Sequence, residues 1–486
     1  MPLTWAELLS ELRRSDLVVA APPTGPTPSA LTVDSRAVGP GSVYLAVRGS
    51  QTDGHRFVSD AVARGASAVV VEIASGSGLP EIVVRDGRRA ALVLGAAWFG
   101  HPARRLTLIG VTGTNGKTTT TGLIRHLLNV TGAAGSIGTL GAFDGRGEPV
   151  ASTAGTLTTP GPIDLQATLA AMLERGVDRV TMEASSHSLD QGRLDGLVFA
   201  AGVFTNLTRD HLDYHATMES YLAAKLKLGS MLADTGVEVV NLDDVAWGGL
   251  PVRSRRVTFG LSPAADVRAE EVVLDAAGSR FLLAGCFGAA EVSLPLLGDF
   301  NVANALAAAA CALGLGVPLA EVGARLSSSP QVPGRMELLT ETPCVVLRDY
   351  AHTPDALERA LATLRPLTAG RLVVVFGCGG DRDKGKRPLM GRIAAELADV
   401  AVVTSDNPRT EDPEAIIDDI EQGMGGVAHL RIPDRLAAIH TALDQARAGD
   451  TLLLAGKGHE TYQVLGGEKV PFDEREIVEK AVKREA

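Results

Sequence analysis

Aromatic residues are scarce, at 4% of 486 residues. The cores must therefore be packed mainly from Ala, Val and Leu. Cysteine is scarcer still: Cys286, Cys311, Cys344 and Cys378 are the four. None forms a Cys-x-x-Cys pair, so neither a zinc site nor a disulfide framework is indicated. Buried free thiols in a reducing cytoplasm are expected. Positive charge is in deficit, with a formal net charge of −11. That argues against nucleic acid as a general partner, although local Arg and helix N-termini can still hold an anionic nucleotide sugar. No uncharged apolar run reaches the ~18 residues of a membrane span. The Ala-rich stretch Ala303–Ala312 is too short and runs into Gly314-Leu-Gly-Val-Pro318. The first residues, Met1 to Arg14, lack a long apolar core and read as a short amphipathic helix rather than a signal peptide.

What remains is an ordinary globular composition, 45% hydrophobic and 21% charged, and a length that suggests about three domains. The stretch that organises the rest is Gly110-Val-Thr-Gly-Thr-Asn-Gly-Lys-Thr-Thr119. It follows the apolar run Leu106–Val111 and leads into a helical pattern ending at Leu128. Strand, glycine-rich turn and helix N-terminus make a phosphate cradle of backbone N–H groups. Lys117 would reach the β- and γ-phosphates, and the Thr118 hydroxyl would ligate Mg²⁺. The strict nucleotide-loop pattern wants glycine at position 111, where Val111 stands, so this is a variant loop.

Before it, strands are expected at Ala30–Val33, Val43–Val47, Ala68–Glu72 and Glu81–Val84, with helices at Phe57–Arg64 and Arg88–Trp98. Asp34-Ser-Arg36 and Gly49-Ser-Gln-Thr-Asp-Gly-His-Arg-Phe57 read as polar turns. After it, the strand Arg179–Met182 ends in Glu183, where open α/β sheets place ligands, so Glu183 is a candidate Mg²⁺ ligand. The strand Phe199–Asn206 empties into Leu207-Thr-Arg-Asp-His-Leu-Asp-Tyr-His215, with His211 a candidate second ligand. Two histidines and two aspartates there leave zinc open, but no thiolate joins them and Mg²⁺ with phosphate is the better match. Lys225 reads locally as an ordinary lysine on a helix. Asn301 and Asn304 suit an adenine edge, and Asn301 also suits a helix cap.

From about residue 331 strands and helices alternate as in a Rossmann-like parallel sheet. Gly377-Cys-Gly-Gly380 does not meet the dinucleotide-binding spacing. Three strands end in polar clusters: Gly379–Pro388, Ser405–Thr410 and Gly456–Tyr462. One parallel sheet would converge them on one pocket.

The loop Gly113-Thr-Asn-Gly-Lys-Thr-Thr119 resembles that of the Mur ligases and the related folylpolyglutamate synthetases. Asp349-Tyr-Ala-His-Thr-Pro-Asp355, Asp406-Asn-Pro-Arg409 and Gly456-Lys-Gly-His-Glu460 extend the resemblance over nearly the whole chain. It implies an α/β protein of three domains: a UDP-binding domain at 1–103, a central P-loop parallel-sheet ATPase domain at 104–330, and a C-terminal Rossmann-like amino-acid-binding domain at 331–486. It implies an ATP-dependent acid–amino-acid ligase of peptidoglycan synthesis. The substrates would be ATP, UDP-N-acetylmuramoyl-L-Ala-D-Glu and meso-diaminopimelate, joined through an acyl phosphate with Mg²⁺. A lysine-adding or folylpolyglutamate-type ligase is the first alternative, and a non-catalytic nucleotide-binding scaffold is the second.

The resemblance also assigns residues. Gly113, Thr114, Asn115, Gly116, Lys117, Thr118 and Thr119 would hold ATP, with Asn301, Asn304, Arg335, Asp349 and His352. Thr118, Glu183, His211 and a carbamate on Lys225 would hold the metals. Ser35, Gln51, Thr158, Thr159, Ser185, Gln191 and Arg193 would bind the UDP-muramyl dipeptide. Arg387, Asp406, Asn407, Arg409, Gly456 and Glu460 would bind diaminopimelate. The far end of diaminopimelate carries a carboxylate and an ammonium where lysine carries only the ammonium, and Arg409 offers that carboxylate a fork. Hinge closure near Pro333 is expected. The implied partners are small molecules, with no nucleic acid, no membrane insertion, a cytoplasmic location and a monomeric state.

Overall fold

The computed structural model describes residues 3–49, 52–150 and 157–485. The chain forms two compact units, residues 1–267 with 307–318, and residues 268–306 with 319–486.

The first unit begins with α1 (Trp5–Arg14), whose capping box pairs Thr4 with Glu7 and whose apolar face buries Trp5, Leu8, Leu9 and Leu12. Then come β1 (Val18–Ala20), β2 (Ala30–Thr32), β3 (Ser42–Leu45), α2 (Val58–Ala63), β4 (Ala68–Val71), β5 (Glu81–Val84) and α3 (Gly87–Trp98). They make a five-stranded sheet ordered β1-β5-β4-β3-β2, parallel except for β1. Gly65, at φ +97°, follows α2 as the sequence suggested.

The same unit continues with β6 (Thr107–Thr112), α4 (Lys117–Leu128), β7 (Ala134–Gly138), β8 (Gly141–Phe143), α5 (Pro162–Glu174) and β9 (Arg179–Glu183). It ends with α6 (Ser186–Asp190), β10 (Phe199–Phe204), α7 (Leu212–His215), α8 (Met218–Leu226), β11 (Leu232–Asn241) and β12 (Arg255–Gly260). The strand order is β12-β11-β10-β6-β9-β7-β8, with only β8 antiparallel. β6, which feeds the glycine-rich loop, is therefore flanked by β9 and β10. The tips of those two strands lead to Glu183 and to His211, so register places both sequences beside the loop. Leu and Val make up most of the core beneath this sheet, with Phe199, Phe204 and Trp247 as its aromatic members.

The second unit opens with β13 (Val267–Asp275), β14 (Gly278–Gly285) and β15 (Gly288–Leu294), consecutive in their sheet, followed by the start of α9 (Asp299–Gly314), whose residues from Ala307 on belong to the first unit, and by α10 (Leu319–Ser327). Ala305 to Ala312 in α9 are fully buried, so the Ala-rich stretch is a core helix. Among the described residues no helix is long and apolar enough to cross a membrane. Next come β16 (Glu337–Thr340), β17 (Val345–Asp349), α11 (Pro354–Leu364), β18 (Leu372–Phe376), α12 (Lys386–Leu397), β19 (Val400–Val403) and α13 (Pro413–Glu421). The chain closes with β20 (Leu430–Arg431), α14 (Arg435–Asp444), β21 (Thr451–Ala455), β22 (Tyr462–Leu465), β23 (Glu468–Pro471) and α15 (Glu474–Glu485). The sheet runs β16-β17-β21-β18-β19-β20, parallel except for β16. Side-chain caps from Thr353, Asp412 and Asp434 start α11, α13 and α14. None of the four cysteines is in a disulfide; Cys311, Cys344 and Cys378 are buried, but Cys286 is exposed, which differs from the expectation of four buried thiols. Cys286 sits in the turn between β14 and β15, where no second layer covers it.

Candidate active site

The first unit carries a phosphate loop of the expected form. Gly113 and Gly116 stand at φ +148° and +82°, and Gly116 opens α4. The loop is braced from the segment after β10. Thr114 N donates to Asn206 O at 2.7 Å, and Asn115 N donates to Asn206 Oδ1 at 2.9 Å. Thr205 Oγ1 donates to Asn115 O at 2.8 Å. The Lys117 ammonium curls back onto the carbonyls of Gly113 and Thr114 at 3.1 and 2.8 Å. Thr118 and Thr119 are buried in the first turn of α4.

Lys225 of α8 is buried at 1% exposure, and its amine donates to Gly113 O at 2.5 Å. Burial first, and the Lys117 charge second, pull its pKa well below the usual lysine range, against a weaker pull from Asp210. The Tyr221 ring lies 4.4 Å from Nζ. His211 adopts a left-handed backbone, φ +53°, and its Nε2 is 3.5 Å from Asp210 Oδ2. Its pKa is lowered, mainly by burial, with Lys117 and Lys225 adding to the effect.

Glu183 ends β9 at 1% exposure and accepts from Thr139, through the backbone N at 2.8 Å and the hydroxyl at 3.2 Å. Around it the structure brings together Thr158, Thr159, Ser185, Gln191 and Arg193. Thr139 Oγ1 donates to Thr158 Oγ1 at 3.2 Å, and Thr159 Oγ1 donates to Glu183 O at 2.7 Å. Arg193 donates to Thr159 O at 3.0 Å, and its other nitrogens hold Gln191 Oε1. Among the described residues no three His, Cys, Asp or Glu side chains stand close enough to hold a cation by themselves. Thr118, Glu183, His211 and a carbamate on Lys225 would together offer mostly hard oxygen. Such a set fits Mg²⁺, which takes few protein ligands and shares phosphate and water.

Ser35 opens a short turn capped by Asp34. Gln51 lies outside the described residues. Asn301 is no N-cap: it sits inside α9, donating through Nδ2 to Leu297 O at 2.8 Å and accepting from Asn304 Nδ2 at 3.1 Å.

In the second unit the three polar clusters do converge. Arg409, at φ +54°, donates from Nη1 to Gly380 O at 2.7 Å. Asn407 donates to Glu460 Oε2 at 2.8 Å and accepts from Val464 N at 2.9 Å. Gly456 packs its Cα side toward the Asp406 carboxylate, whose Oδ1 is buried without a hydrogen-bond partner among the described residues. Arg387 is buried at 1% exposure, and its fork is engaged inside the protein, with Nη1 on Asp419 at 2.8 Å and Nη2 on Glu411 at 2.9 Å. Arg387 and the Asp381 N–H hold the Glu411 carboxyl down at about 2. Arg335 lies over the Tyr350 ring at 4.7 Å, and His352 Nδ1 meets Tyr350 O at 2.8 Å. Asp349 accepts from Met336 N at 2.6 Å, and desolvation raises its pKa to about 6 although Arg335 pulls the other way.

Sequence reasoning gave no role to several neighbours. Lys457 is fully buried, donating to Asn407 Oδ1 and Glu460 Oε2 at 3.2 Å each, 3.7 Å from Asp406 Oδ1. Its place between Gly456 and Gly458 at a strand tip is the same cue that marked Lys117. His187 and His215 pack beside His211 and Tyr221, with His187 4.9 Å from His211 and His215 5.1 Å from Tyr221 between ring centres. Burial depresses His187 to about 4. The i, i+4 spacing of His211 and His215 was the available signal.

Three family models match in succession: "Mur ligase family, catalytic domain" over residues 28–104, "Mur ligase middle domain" over 111–312, and "Mur ligase, glutamate ligase domain" over 334–458. A protein of Geobacillus kaustophilus named UDP-N-acetylmuramoyl-L-alanyl-D-glutamate--2,6-diaminopimelate ligase is 46% identical, over 93% of this chain and 94% of its own. A Gloeobacter violaceus protein of the same name is 47% identical, over 93% and 94%. A solved structure of a ligase of that name aligns over 100% of this chain and 99% of its own, at 35% identity and TM-score 0.66. The MurF ligase of Thermotoga maritima, solved with ADP, shares the fold at 18% identity and TM-score 0.66, covering 94% and 98%. Identity of this depth, sustained from the first matched domain to the last, means that the chain belongs to the Mur ligase family.

Proposed function

We propose that this protein joins meso-diaminopimelate to the D-Glu γ-carboxylate of UDP-N-acetylmuramoyl-L-Ala-D-Glu, converting ATP to ADP and phosphate, in peptidoglycan synthesis. The observation that carries the reading is the convergence of Asp406, Asn407 and Glu460 around buried Lys457 at the C-terminal ends of the strands, with Arg409 beside Asn407. Relatives at 41–47% identity bear the name of the diaminopimelate ligase.

The roles follow from chemistry. Residues 1–103 would take the uridine end through Ser35 and Gln51, residues 104–330 would run the ATP step, and residues 331–486 would bind the amino acid. Gly113 to Thr119 cradle the phosphates through backbone N–H groups and the Lys117 ammonium. Asn301, Asn304, Arg335, Asp349 and His352 serve the nucleotide. Mg²⁺, held by Thr118, Glu183, His211 and the Lys225 carbamate, would neutralise charge between carboxylate and phosphate. Thr158, Thr159, Ser185, Gln191 and Arg193 orient the dipeptide so that its γ-carboxylate oxygen attacks the γ-phosphorus and ADP leaves. The diaminopimelate amine then attacks the acyl carbon, and phosphate departs with the former carboxylate oxygen. The Arg409 donors not engaged by Gly380 would face the distal carboxylate, and Glu460 and Asp406 the distal ammonium; Arg387, expected to take the remaining carboxylate, is instead buried with its fork on Asp419 and Glu411. Rate comes mainly from positioning and charge neutralisation. We read the working state as a monomer in the cytoplasm, where ATP and UDP-sugars are found.

The test is isotopic. With oxygen-18 in the D-Glu γ-carboxylate, the label should appear in the released phosphate in step with amide formation. Unlabelled phosphate would refute the acyl phosphate.

A further inference from the structure

Helix α15 contains none of the residues assigned to a substrate, yet the turn that starts it is tied into the sheet by ion pairs. Asp473 meets Arg348 at 3.3 Å, and Arg475 meets Glu337. Between them Glu474 is completely buried, its Oε1 2.8 Å from both Nε and Nη2 of Arg435 on α14, itself completely buried. Arg435 then reaches two strand ends. Its Nη2 donates to Ala455 O at 2.9 Å and its Nη1 to Ser405 O at 3.4 Å. Ala455 ends β21 immediately before Gly456 and Lys457. Ser405 follows β19 immediately before Asp406 and Asn407. In the sheet those two strands are separated by β18, so a single guanidinium spans the tips of non-adjacent strands.

We propose that Arg435 and Glu474 are positioning residues for the diaminopimelate pocket, the fork of Arg435 fixing the Asp406–Asn407 tip against the Lys457–Glu460 tip. The inference rests on the pocket reading above. A pair this buried gives little net stability, because desolvating both charges cancels most of their attraction. Glu474 Oε2 is even left without a hydrogen-bond partner among the described residues. What the pair does supply is geometry. A planar guanidinium with five donors can hold one carboxylate and two carbonyls at once, and neither lysine nor an apolar residue can. Loosening it lets Asn407 and Glu460, which share Lys457, drift apart at the point where the amino acid is gripped.

The test uses the full-length enzyme and steady-state phosphate release, with each substrate varied in turn. The variants are Glu474→Gln, Arg435→Lys, and the double replacement Arg435→Met with Glu474→Met, which removes the charges together and spares stability. In each, KM for meso-diaminopimelate should rise about tenfold or more, while KM for ATP and for the UDP-muramyl dipeptide stays within about twofold. An unchanged diaminopimelate KM in a variant melting near wild type would overturn the proposal, as would a parallel rise in all three KM values. If the double variant does not fold, the two single variants decide by the same criterion. A wild-type enzyme that releases no phosphate with diaminopimelate would instead overturn the pocket reading itself.

Discussion

Lys225 and Gly113 meet at 2.5 Å, the buried amine donating to the carbonyl oxygen that also receives Lys117. Two ammonium groups on one oxygen repel, and burial disfavours charge on the deeper one, so Lys225 is driven toward the neutral amine. A neutral amine is the nucleophile that adds carbon dioxide, and the resulting anion is what two phosphate-bound cations need. With carbon-13 bicarbonate and Mg²⁺–ATP, NMR should show a carbamate resonance that Lys225→Arg abolishes. Lys225→Ala should lower kcat about a thousandfold. A wild-type spectrum without the resonance counts against the carbamate.

Gly138 has no room for a side chain, since a methyl there would overlap the Glu183 carboxylate. Gly138→Ala should push that carboxylate off its place and lower kcat about tenfold or more. A methyl at Gly122 in α4 would meet nothing within 4 Å. Gly122→Ala should leave kinetics unchanged and raise stability by about 0.5–1 kcal/mol. Equal kinetics for the two variants would remove Glu183 from the reaction.

Asp349 ionises at about 6 in the folded chain against an ordinary value of 3.8. Between those values the folded state binds more protons than the unfolded one, so wild-type stability falls as pH rises through the window. Well above pH 6 the penalty is complete, about 3 kcal/mol. Asp349→Asn cannot ionise. It should melt like wild type near pH 4, melt higher than wild type at pH 7.5, and use ATP less well. A melting difference that does not change with pH contradicts the assignment.

Arg409 has one arm, Nη1, anchored on Gly380 O and Asn407 O. Arg409→Ala should raise KM for diaminopimelate about a hundredfold, the loss of a charge-assisted pair, with ATP KM within about twofold. Arg409→Lys should not restore it, because an ammonium cannot reproduce the fork.

The parts of this protein that were legible in the sequence are those in which local chemistry dictates structure. Gly113, Gly116 and Lys117 announce a phosphate loop within a few residues of each other. The Val-rich strands between capped helices announce the parallel sheet of the second unit, and its polar strand tips announce the pocket. The antiparallel strands β13–β15 were not foreseen, because their partial alternation and glycine ends resemble loop sequence. Asn301 read as a cap because nothing local shows that Asp299 has already begun the helix. The partners of Arg387 and Arg435 could not be seen at all. Glu411 and Glu474 stand 24 and 39 residues away, and only the closed fold turns them inward. Lys457 was overlooked for a different reason: full burial makes it a strut between Asn407 and Glu460, a role that composition does not reveal.

The most direct measurement is phosphate release from ATP with Mg²⁺ and UDP-N-acetylmuramoyl-L-Ala-D-Glu, comparing meso-diaminopimelate with L-lysine. The account predicts turnover with diaminopimelate and little or none with lysine. Equal turnover with lysine would keep the ligase and contradict the pocket built on Arg409, and no turnover with either would contradict the proposed reaction.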